Sequence, residues 1–249
     1  MIIIGHRGMI SPQSGIVENT YKSFEKALDL GVDMIELDVY LTRDHRIVVC
    51  HDHTLDRLCQ YPYKINTLTL SEIQQLPLHD GSFIPTLSDV IELVNKRVPI
   101  NIEIKAQSEA ICPILIDLLE IYFSQGWEKY HFLVSSFDMT ILQNIYTQNS
   151  QIPLGVIQSH IPSREDPDYY LRQCQSINAV SIHIDYSLCY NPDFYRYLSR
   201  YHEDRLHVYL FVINDPKIVL TEIEEGLVDG IITDHPELFL SSTRVNTKP

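Results

Sequence analysis

The stretch that decides the fold is the first one, MIIIGHRG at residues 1–8. Four apolar residues lead into a glycine, His6, Arg7 and a second glycine. A short apolar run of this kind is typical of a strand buried on both faces, as in a parallel sheet. The glycines are expected to let the backbone turn tightly beside the histidine and the arginine. If later strands also end in polar side chains, those side chains meet at one edge of the sheet.

Short apolar runs recur along the chain and alternate with stretches of helical periodicity. Residues 46–52 form one such run, which follows 33–41 too closely for a crossover and is therefore predicted as its hairpin partner. Without it, eight strands remain, each followed by a helix, and this predicts an α/β fold, a single-domain (β/α)8 TIM barrel with a β-hairpin extension after strand 2. The eight strands are predicted at 2–5, 33–41, 99–105, 131–137, 153–158, 179–185, 206–214 and 229–234.

The barrel is predicted to span residues 1–240 as one domain. The tail at 241–249 has too few apolar residues to pack and is expected to be flexible. The longest irregular stretch, 53–85, contains a short predicted helix at SEIQQL, residues 71–76. Other helices are predicted most clearly at 86–96, 107–124, 192–203 and 216–225.

Composition and charge indicate which partners and which cellular compartment the protein is expected to have. The net charge is −14, from 33 acidic and 19 basic residues, which disfavours nucleic acid and anionic membranes as partners. No run approaches the roughly 18 apolar residues of a membrane helix, so stable membrane insertion is not expected. Five cysteines without a CxxC pair favour free thiols in a reducing compartment, and hence a cytoplasmic protein. The oligomeric state stays open.

Polar side chains recur where the predicted barrel strands end. Glu36 and Asp38 lie two residues apart in the second barrel strand, and Glu103 and Lys105 do so in the third. Residues two apart on a strand point to the same face. His51 ends the hairpin strand. Because the active sites of this fold lie at the carboxyl ends of its strands, these side chains are expected to meet the histidine and arginine of the opening strand.

Three inward carboxylates, those of Glu36, Asp38 and Glu103, require a neutralising partner inside a barrel. An all-oxygen ligand set favours one divalent cation, Mg²⁺ or Ca²⁺. Zinc is disfavoured because no cysteine or clustered histidine ligands accompany the carboxylates. Arg7 and Lys105 add two cations, and guanidinium, ammonium and metal together suit a phosphate.

His6 and His51 supply two groups that titrate near neutrality. Beside a metal-bound phosphodiester they could act as general base and general acid. Each site residue has an ordinary structural explanation when taken singly, such as a salt bridge between Lys105 and Glu103. Convergence of these polar groups on one rim favours the functional interpretation. The remaining histidines without a charged partner in the pattern are interpreted as structural, namely His131, His160, His183, His202 and His207.

The motifs GHRG, ENT, GVDMIELDV, VVCHD, IPTL, NIEIK, SSF and DGIITDHP occur in this order. Together they resemble the glycerophosphodiester phosphodiesterase family, from residue 5 to about residue 236. The resemblance implies a TIM barrel that hydrolyses a small glycerophosphodiester substrate to glycerol 3-phosphate and an alcohol. It implies that Glu36, Asp38 and Glu103 bind the metal, that His6 and His51 are the acid–base pair, and that Arg7 and Lys105 hold the phosphate.

The family mechanism has the neighbouring glycerol hydroxyl attack phosphorus. One histidine removes its proton, the other protonates the leaving alcohol, and water then opens the cyclic phosphate. This chain departs from the family pattern in the longer loop at 9–17, in the segment LCQYPYKIN at 58–66, and at Phe211, which stands where a tryptophan is usual. Phe211 is therefore expected to line the substrate pocket, and the identity of the leaving alcohol stays open.

Two alternatives stand beside this hypothesis. One keeps the chemistry and changes the substrate to lysophospholipids, with Phe211, Tyr61 and Tyr63 covering an acyl chain, although the tyrosines also fit ordinary loop positions. The other is a catalytically silent barrel that binds a phosphate ligand. The sequence argues against a silent barrel because none of the histidines or carboxylates of the site is missing.

Overall fold

The computed structural model describes residues 1–105, 108–163, 166–218 and 225–243. Within them, eight parallel strands form a closed ring, because β1 pairs with both β2 and β9. The predicted (β/α)8 barrel is confirmed. The strands are β1 (Ile2–Gly5), β2 (Met34–Leu41), β3 (Ile47–Val49), β4 (Ile100–Ile104), β5 (Phe132–Ser136), β6 (Leu154–Gln158), β7 (Ser181–Asp185), β8 (His207–Phe211) and β9 (Gly230–Thr233).

Strand β3 lies outside the ring. It pairs antiparallel with the end of β2, from Val39 opposite Val49 to Leu41 opposite Ile47. The parallel pairing of β2 with β4 reaches only as far as Val39, opposite Ile104. The last residues of β2 therefore project beyond the ring, and the hairpin partner satisfies their backbone groups. The predicted β-hairpin extension after the second strand is confirmed.

The described helices follow the predicted periodicity closely. The helix expected over 216–225 falls largely on residues 219–224, outside the described residues, as do residues 244–249 of the expected tail. None of the described helices has the length and apolar character needed to cross a membrane. The helices are α1 (Tyr21–Leu30), α2 (Asp56–Cys59), α3 (Leu70–Ile73), α4 (Leu87–Val94), α5 (Ile111–Ser124), α6 (Met139–Gln148), α7 (Tyr169–Ser176), α8 (Phe194–Glu203) and α9 (Pro236–Thr243), with short 3₁₀ turns at Pro12–Ser14, Ile65–Thr67, Lys129–His131 and Tyr186–Tyr190.

Alternation along the strands separates two environments. Ile35, Leu37 and Val39 of β2 belong to the large core between barrel and helices. Glu36 and Asp38, which alternate with them, face the barrel interior. A small apolar cluster fills the lower interior with Ile4, Met34, Leu133, Tyr209 and Ile232. The polar side chains thus lie above this cluster, towards the carboxyl ends of the strands.

The segment from Cys50 to Ile84 between β3 and α4 has a core of its own. Helix α3 lies close to the predicted short helix at 71–76, while the four residues of α2 are too few for a detectable period. Burial of this second core holds the segment against the barrel rim. Its buried members include Val17, Val48, Cys50, Leu55, Leu58, Cys59, Ile65, Ile73, Leu78 and Ile84.

Candidate active site

The predicted site residues gather at the carboxyl end of the barrel. Two glycines shape the first strand end. A Cβ on Gly5 would lie 2.5 Å from the Gly8 carbonyl oxygen, and one on Gly8, whose φ is +88°, would lie 2.7 Å from the backbone of Ser23. The expected tight turn is confirmed. It directs Arg7, itself at φ 53°, into the site.

Three carboxylates, two of them buried and one partly buried, form the centre of the site. Glu36, Asp38 and Glu103 each present an oxygen within 4.8 Å of the others. Glu36 Oε1 and Asp38 Oδ1 are buried without a hydrogen-bond partner. Burial, together with the charge of Asp38, raises the pKa of Glu103 to about 7 and raises that of Glu36 well above its usual range. Clustered oxygen ligands with unsatisfied lone pairs fit a hard divalent cation.

Two cations lie against these carboxylates. The backbone N–H of Arg7 donates to Glu36 Oε2 at 2.9 Å, and its Nε lies 3.3 Å from Asp38 Oδ2. Lys105 Nζ forms an ion pair with Glu103 Oε1 at 3.0 Å. Asn19, which sequence reasoning did not select, donates from Nδ2 to Asp38 Oδ2 at 2.9 Å. Arginine and lysine here suit a phosphate bound beside the carboxylates.

Each predicted catalytic histidine is paired with an aspartate. His6 Nδ1 lies 2.7 Å from Asp234 Oδ1, and His51 Nδ1 lies 2.7 Å from Asp52 Oδ1. A carboxylate at Nδ1 favours the tautomer that carries its proton there, so Nε2 is available for proton transfer. Burial, with the charges of Arg7 and Lys105, lowers the pKa of His51.

Asn214 supports the first of these pairs. Its Nδ2 donates to Asp234 Oδ2 at 2.7 Å, and its Oδ1 accepts from the Asp234 backbone N–H at 2.9 Å. Burial alone would raise the pKa of Asp234, but the hydrogen bonds from His6 and Asn214 lower it overall. Sequence reasoning did not assign Asp234, Asn214 or Asp52. Their one available signal was position, because each is the last residue of a predicted strand at the same rim.

Phe211 ends β8 at the rim that carries the carboxylates, and its contact with substrate stays a prediction. It lines a cavity of about 20 Å³ together with His6, Glu36 and Glu103. Its ring meets that of Phe137 edge to face, with centroids 6.2 Å apart, and Lys105 Nζ lies 5.6 Å from the Phe137 centroid. The two phenylalanines form an apolar wall on one side of the site.

Tyr61 and Tyr63 stack on each other with centroids 6.2 Å apart. They are 40% and 49% exposed. Among the described residues, neither lines the small cavity beside Phe211. Their proposed contact with an acyl chain stays a prediction.

His183 lies inside the barrel and lines the same small cavity. It is fully buried, and its Nε2 lies 3.0 Å from Ser181 Oγ. Burial lowers its pKa to about 3, so the ring is neutral at physiological pH. These contacts agree with its interpretation as a structural histidine.

Comparison with known proteins identifies the family. The model of the glycerophosphoryl diester phosphodiesterase family matches residues 6–238. A glycerophosphodiester phosphodiesterase from Caldanaerobacter subterraneus is 29% identical, over 98% of both chains. A lysophospholipase D from Homo sapiens is 31% identical, over 61% of this chain and 50% of its own length. The structure of an Oleispira antarctica phosphodiesterase in complex with the product sn-glycerol-3-phosphate superposes with a TM-score of 0.84 at 25% identity, covering 98% of this chain and 97% of the other. The chain therefore belongs to the glycerophosphoryl diester phosphodiesterase family and is a phosphoric diester hydrolase.

Proposed function

We propose that this enzyme hydrolyses glycerophosphodiesters to glycerol 3-phosphate and an alcohol. In this proposal His6 and His51 are the acid–base pair, and one divalent cation, Mg²⁺ or Ca²⁺, binds the three central carboxylates. The observation that carries the proposal is the meeting of that carboxylate cluster with two histidine–aspartate pairs at one barrel rim. The product in the Oleispira antarctica complex supports glycerol 3-phosphate as the released half.

The phosphate is held by charge and shape. Arg7 offers a planar guanidinium near Asp38 Oδ2, and Lys105 offers an ammonium near Asp38 Oδ1. When bound by Glu36, Asp38 and Glu103, a divalent cation polarises the phosphoryl oxygens and neutralises developing negative charge. Arg7 and Lys105 orient the phosphodiester so that the glycerol hydroxyl next to phosphorus faces it for attack.

The two histidines move the protons. One accepts the proton of the attacking glycerol hydroxyl at Nε2, and the other donates a proton to the oxygen of the leaving alcohol. A cyclic glycerol phosphate forms, and water opens it with the histidine roles reversed. The lowered pKa of His51 favours the neutral ring, the form that accepts a proton. Asp234 and Asp52 stabilise whichever ring becomes positively charged.

The test is a turnover assay on glycerophosphocholine and glycerophosphoethanolamine, with glycerol 3-phosphate measured as the product. We expect EDTA to abolish turnover and either Mg²⁺ or Ca²⁺ to restore it. His6→Ala and His51→Ala should each lower kcat by about 10²- to 10⁴-fold, the usual contribution of acid–base catalysis. His202→Ala, an exposed histidine of α8, is the matched control. Full activity of His6→Ala would contradict the proposal.

A second candidate substrate class is lysophospholipids, from which the same chemistry would release the head group. The similarity to the human lysophospholipase D and the apolar wall of Phe137 and Phe211 favour it. Rates on glycerophosphocholine and lysophosphatidylcholine, measured side by side, separate the two candidates. Preference for the lysophospholipid, reversed in Phe211→Ser, would assign the wall to the acyl chain.

A further inference from the structure

A line of charged side chains joins the two ends of the site. Arg7 Nη1 donates to Glu18 Oε1 at 2.7 Å, and Arg57 donates to both oxygens of Glu18 at 2.7 and 3.0 Å. Arg57 Nε donates to Asp52 Oδ2 at 2.5 Å, and Asp52 Oδ1 holds His51 Nδ1 at 2.7 Å. Arg57 thus links the carboxylate that contacts Arg7 with the carboxylate that contacts His51.

The segment after β3 fixes where Arg57 stands. Arg57 belongs to α2, whose next residues, Leu58 and Cys59, are buried in the second core. The Leu55 N–H donates to the Tyr63 carbonyl, and the Leu58 carbonyl accepts from the His79 N–H. Both ends of the short helix are therefore tied to the rest of the segment. The guanidinium extends from a fixed backbone towards the barrel rim.

The chemistry of these contacts requires an arginine. A guanidinium presents N–H donors in a planar fork, which here matches both oxygens of Glu18 while Nε reaches Asp52. A lysine ammonium cannot make this set of bonds in the same geometry. Burial alone would raise the pKa of Glu18 and Asp52, but hydrogen bonds from Arg57 contribute to lowering both, so both carboxylates are charged at neutral pH.

A contribution to the stability of the fold is a weak explanation for the pairing of Arg57 with Glu18 and Asp52. The Arg57 side chain is 47% exposed, so solvent screens its charge and reduces what its ion pairs contribute to stability. Orientation of the site residues is a stronger explanation for these contacts. A displacement of about 1 Å of a catalytic group can lower the reaction rate about 10²-fold. Asp52 contacts His51, which has a proposed catalytic role. Glu18 contacts Arg7, which has a proposed phosphate-binding role.

We propose that Arg57 is a positioning residue for the hydrolysis. Through Asp52 it sets the ring orientation and tautomer of His51, and through Glu18 it holds the guanidinium of Arg7 towards the phosphate. It acts through these neighbours and not on the substrate. This inference rests on the proposed function of His51 and Arg7.

The test compares Arg57→Ala and Arg57→Lys with the wild-type enzyme on a glycerophosphodiester that the wild type hydrolyses. Arg57→Ala should lose about 10- to 100-fold in kcat/KM, most of it in kcat. Arg57→Lys, which keeps the charge without the fork, should stay impaired. Added guanidinium or methylguanidinium should restore part of the activity of Arg57→Ala by occupying the vacated position, an effect that a loss of packing alone would not produce.

Arg43→Ala is the matched control. Arg43 is 55% exposed and lies outside the site, where its Nη2 is 3.0 Å from Glu72 Oε2. We expect it to stay within about twofold of wild type. Wild-type activity in Arg57→Lys would overturn the proposal, as would a folded Arg57→Ala that guanidinium does not rescue. If Arg57→Ala fails to fold, the kcat/KM of Arg57→Lys relative to wild type tests the proposal. A wild-type enzyme inactive on every glycerophosphodiester would instead refute the proposed function.

Discussion

The central carboxylates oppose one another's ionisation. Glu36 is buried and Glu103 is partly buried beside Asp38, and desolvation with that neighbouring charge raises the pKa of both. Arg7 and Lys105 offset part of this charge. The carboxylates of Glu36 and Glu103 are therefore expected to bind either a proton or a metal cation. Asp234 and Asp52 lie in the opposite situation, because their histidine and arginine partners lower their pKa values.

Glu103 provides a test of this electrostatic state. In the metal-free folded protein its pKa is about 7, against 4.5 in an unfolded chain. The folded state thus binds more protons between these values, and the free energy of unfolding falls as pH rises through that window. Glu103→Gln removes this contribution, so we expect the variant to gain stability relative to wild type as pH rises from about 5 to about 7.5.

The measurement is the difference in Tm between the two metal-free proteins across this pH range. Groups remote from the substitution titrate equally in both proteins and cancel in the difference. A difference that stays constant with pH would contradict the raised pKa. Glu120→Gln, at an exposed position of α5, provides a matched control for the loss of a glutamate outside the site.

Strands β6 and β7 meet through a close contact in the barrel interior. Gly155 of β6 is paired with Ser181 of β7, and the inward ring of His183 occupies the space that a side chain on Gly155 would need. A Cβ there would lie 2.7 Å from Ser181 Oγ and 2.9 Å from His183 Nε2. The glycine is required by this packing, since the strand itself has no unusual backbone angle at that position.

We therefore expect Gly155→Ala to destabilise the protein by about 1–3 kcal/mol, the usual cost of overpacking a core. Thermal or urea unfolding measures this loss. In the double variant with Ser181→Ala the nearer clashing atom is absent, so part of the stability should return. Equal stability of Gly155→Ala and wild type would show that the strands separate there without cost.

The whole molecule is strongly acidic, yet positive side chains gather at the rim that holds the site. The chain carries a net charge of −14, while Arg7, Lys105 and Arg57 all lie along this rim. A divalent cation at the carboxylate cluster would add further positive charge there. Because the ligands come from β2 and β4, such a cation would bind the folded barrel and not the unfolded chain.

Divalent ions should therefore raise the Tm of the protein. At a concentration about 100-fold above Kd the gain is about 2.7 kcal/mol, which for a domain of this size corresponds to a shift of about 5–11 °C. Differential scanning fluorimetry with Mg²⁺, with Ca²⁺ and with EDTA measures it. Asp38→Asn should remove the shift, whereas Asp117→Asn on α5 should keep it. No shift with either ion would contradict metal binding at this cluster.

The sequence by itself determined the barrel and indicated most of the candidate site. Eight apolar runs separated by helical stretches allow few arrangements. Residues two apart on an extended strand share a face, as Glu36 and Asp38 do on β2. Motif order then brought His6, Glu36, His51 and Glu103 into one expected site. These features are local or periodic, which is why they can be predicted from the sequence.

Only the tertiary structure decided how those residues are held. The His6–Asp234 pair spans the closure of the barrel, from the first strand to the last. Arg57 reaches Glu18 because the segment after β3 folds on its own small core. No period or short motif records these contacts, since they join residues far apart in sequence. They exist because burial of apolar side chains brings the carrying elements together.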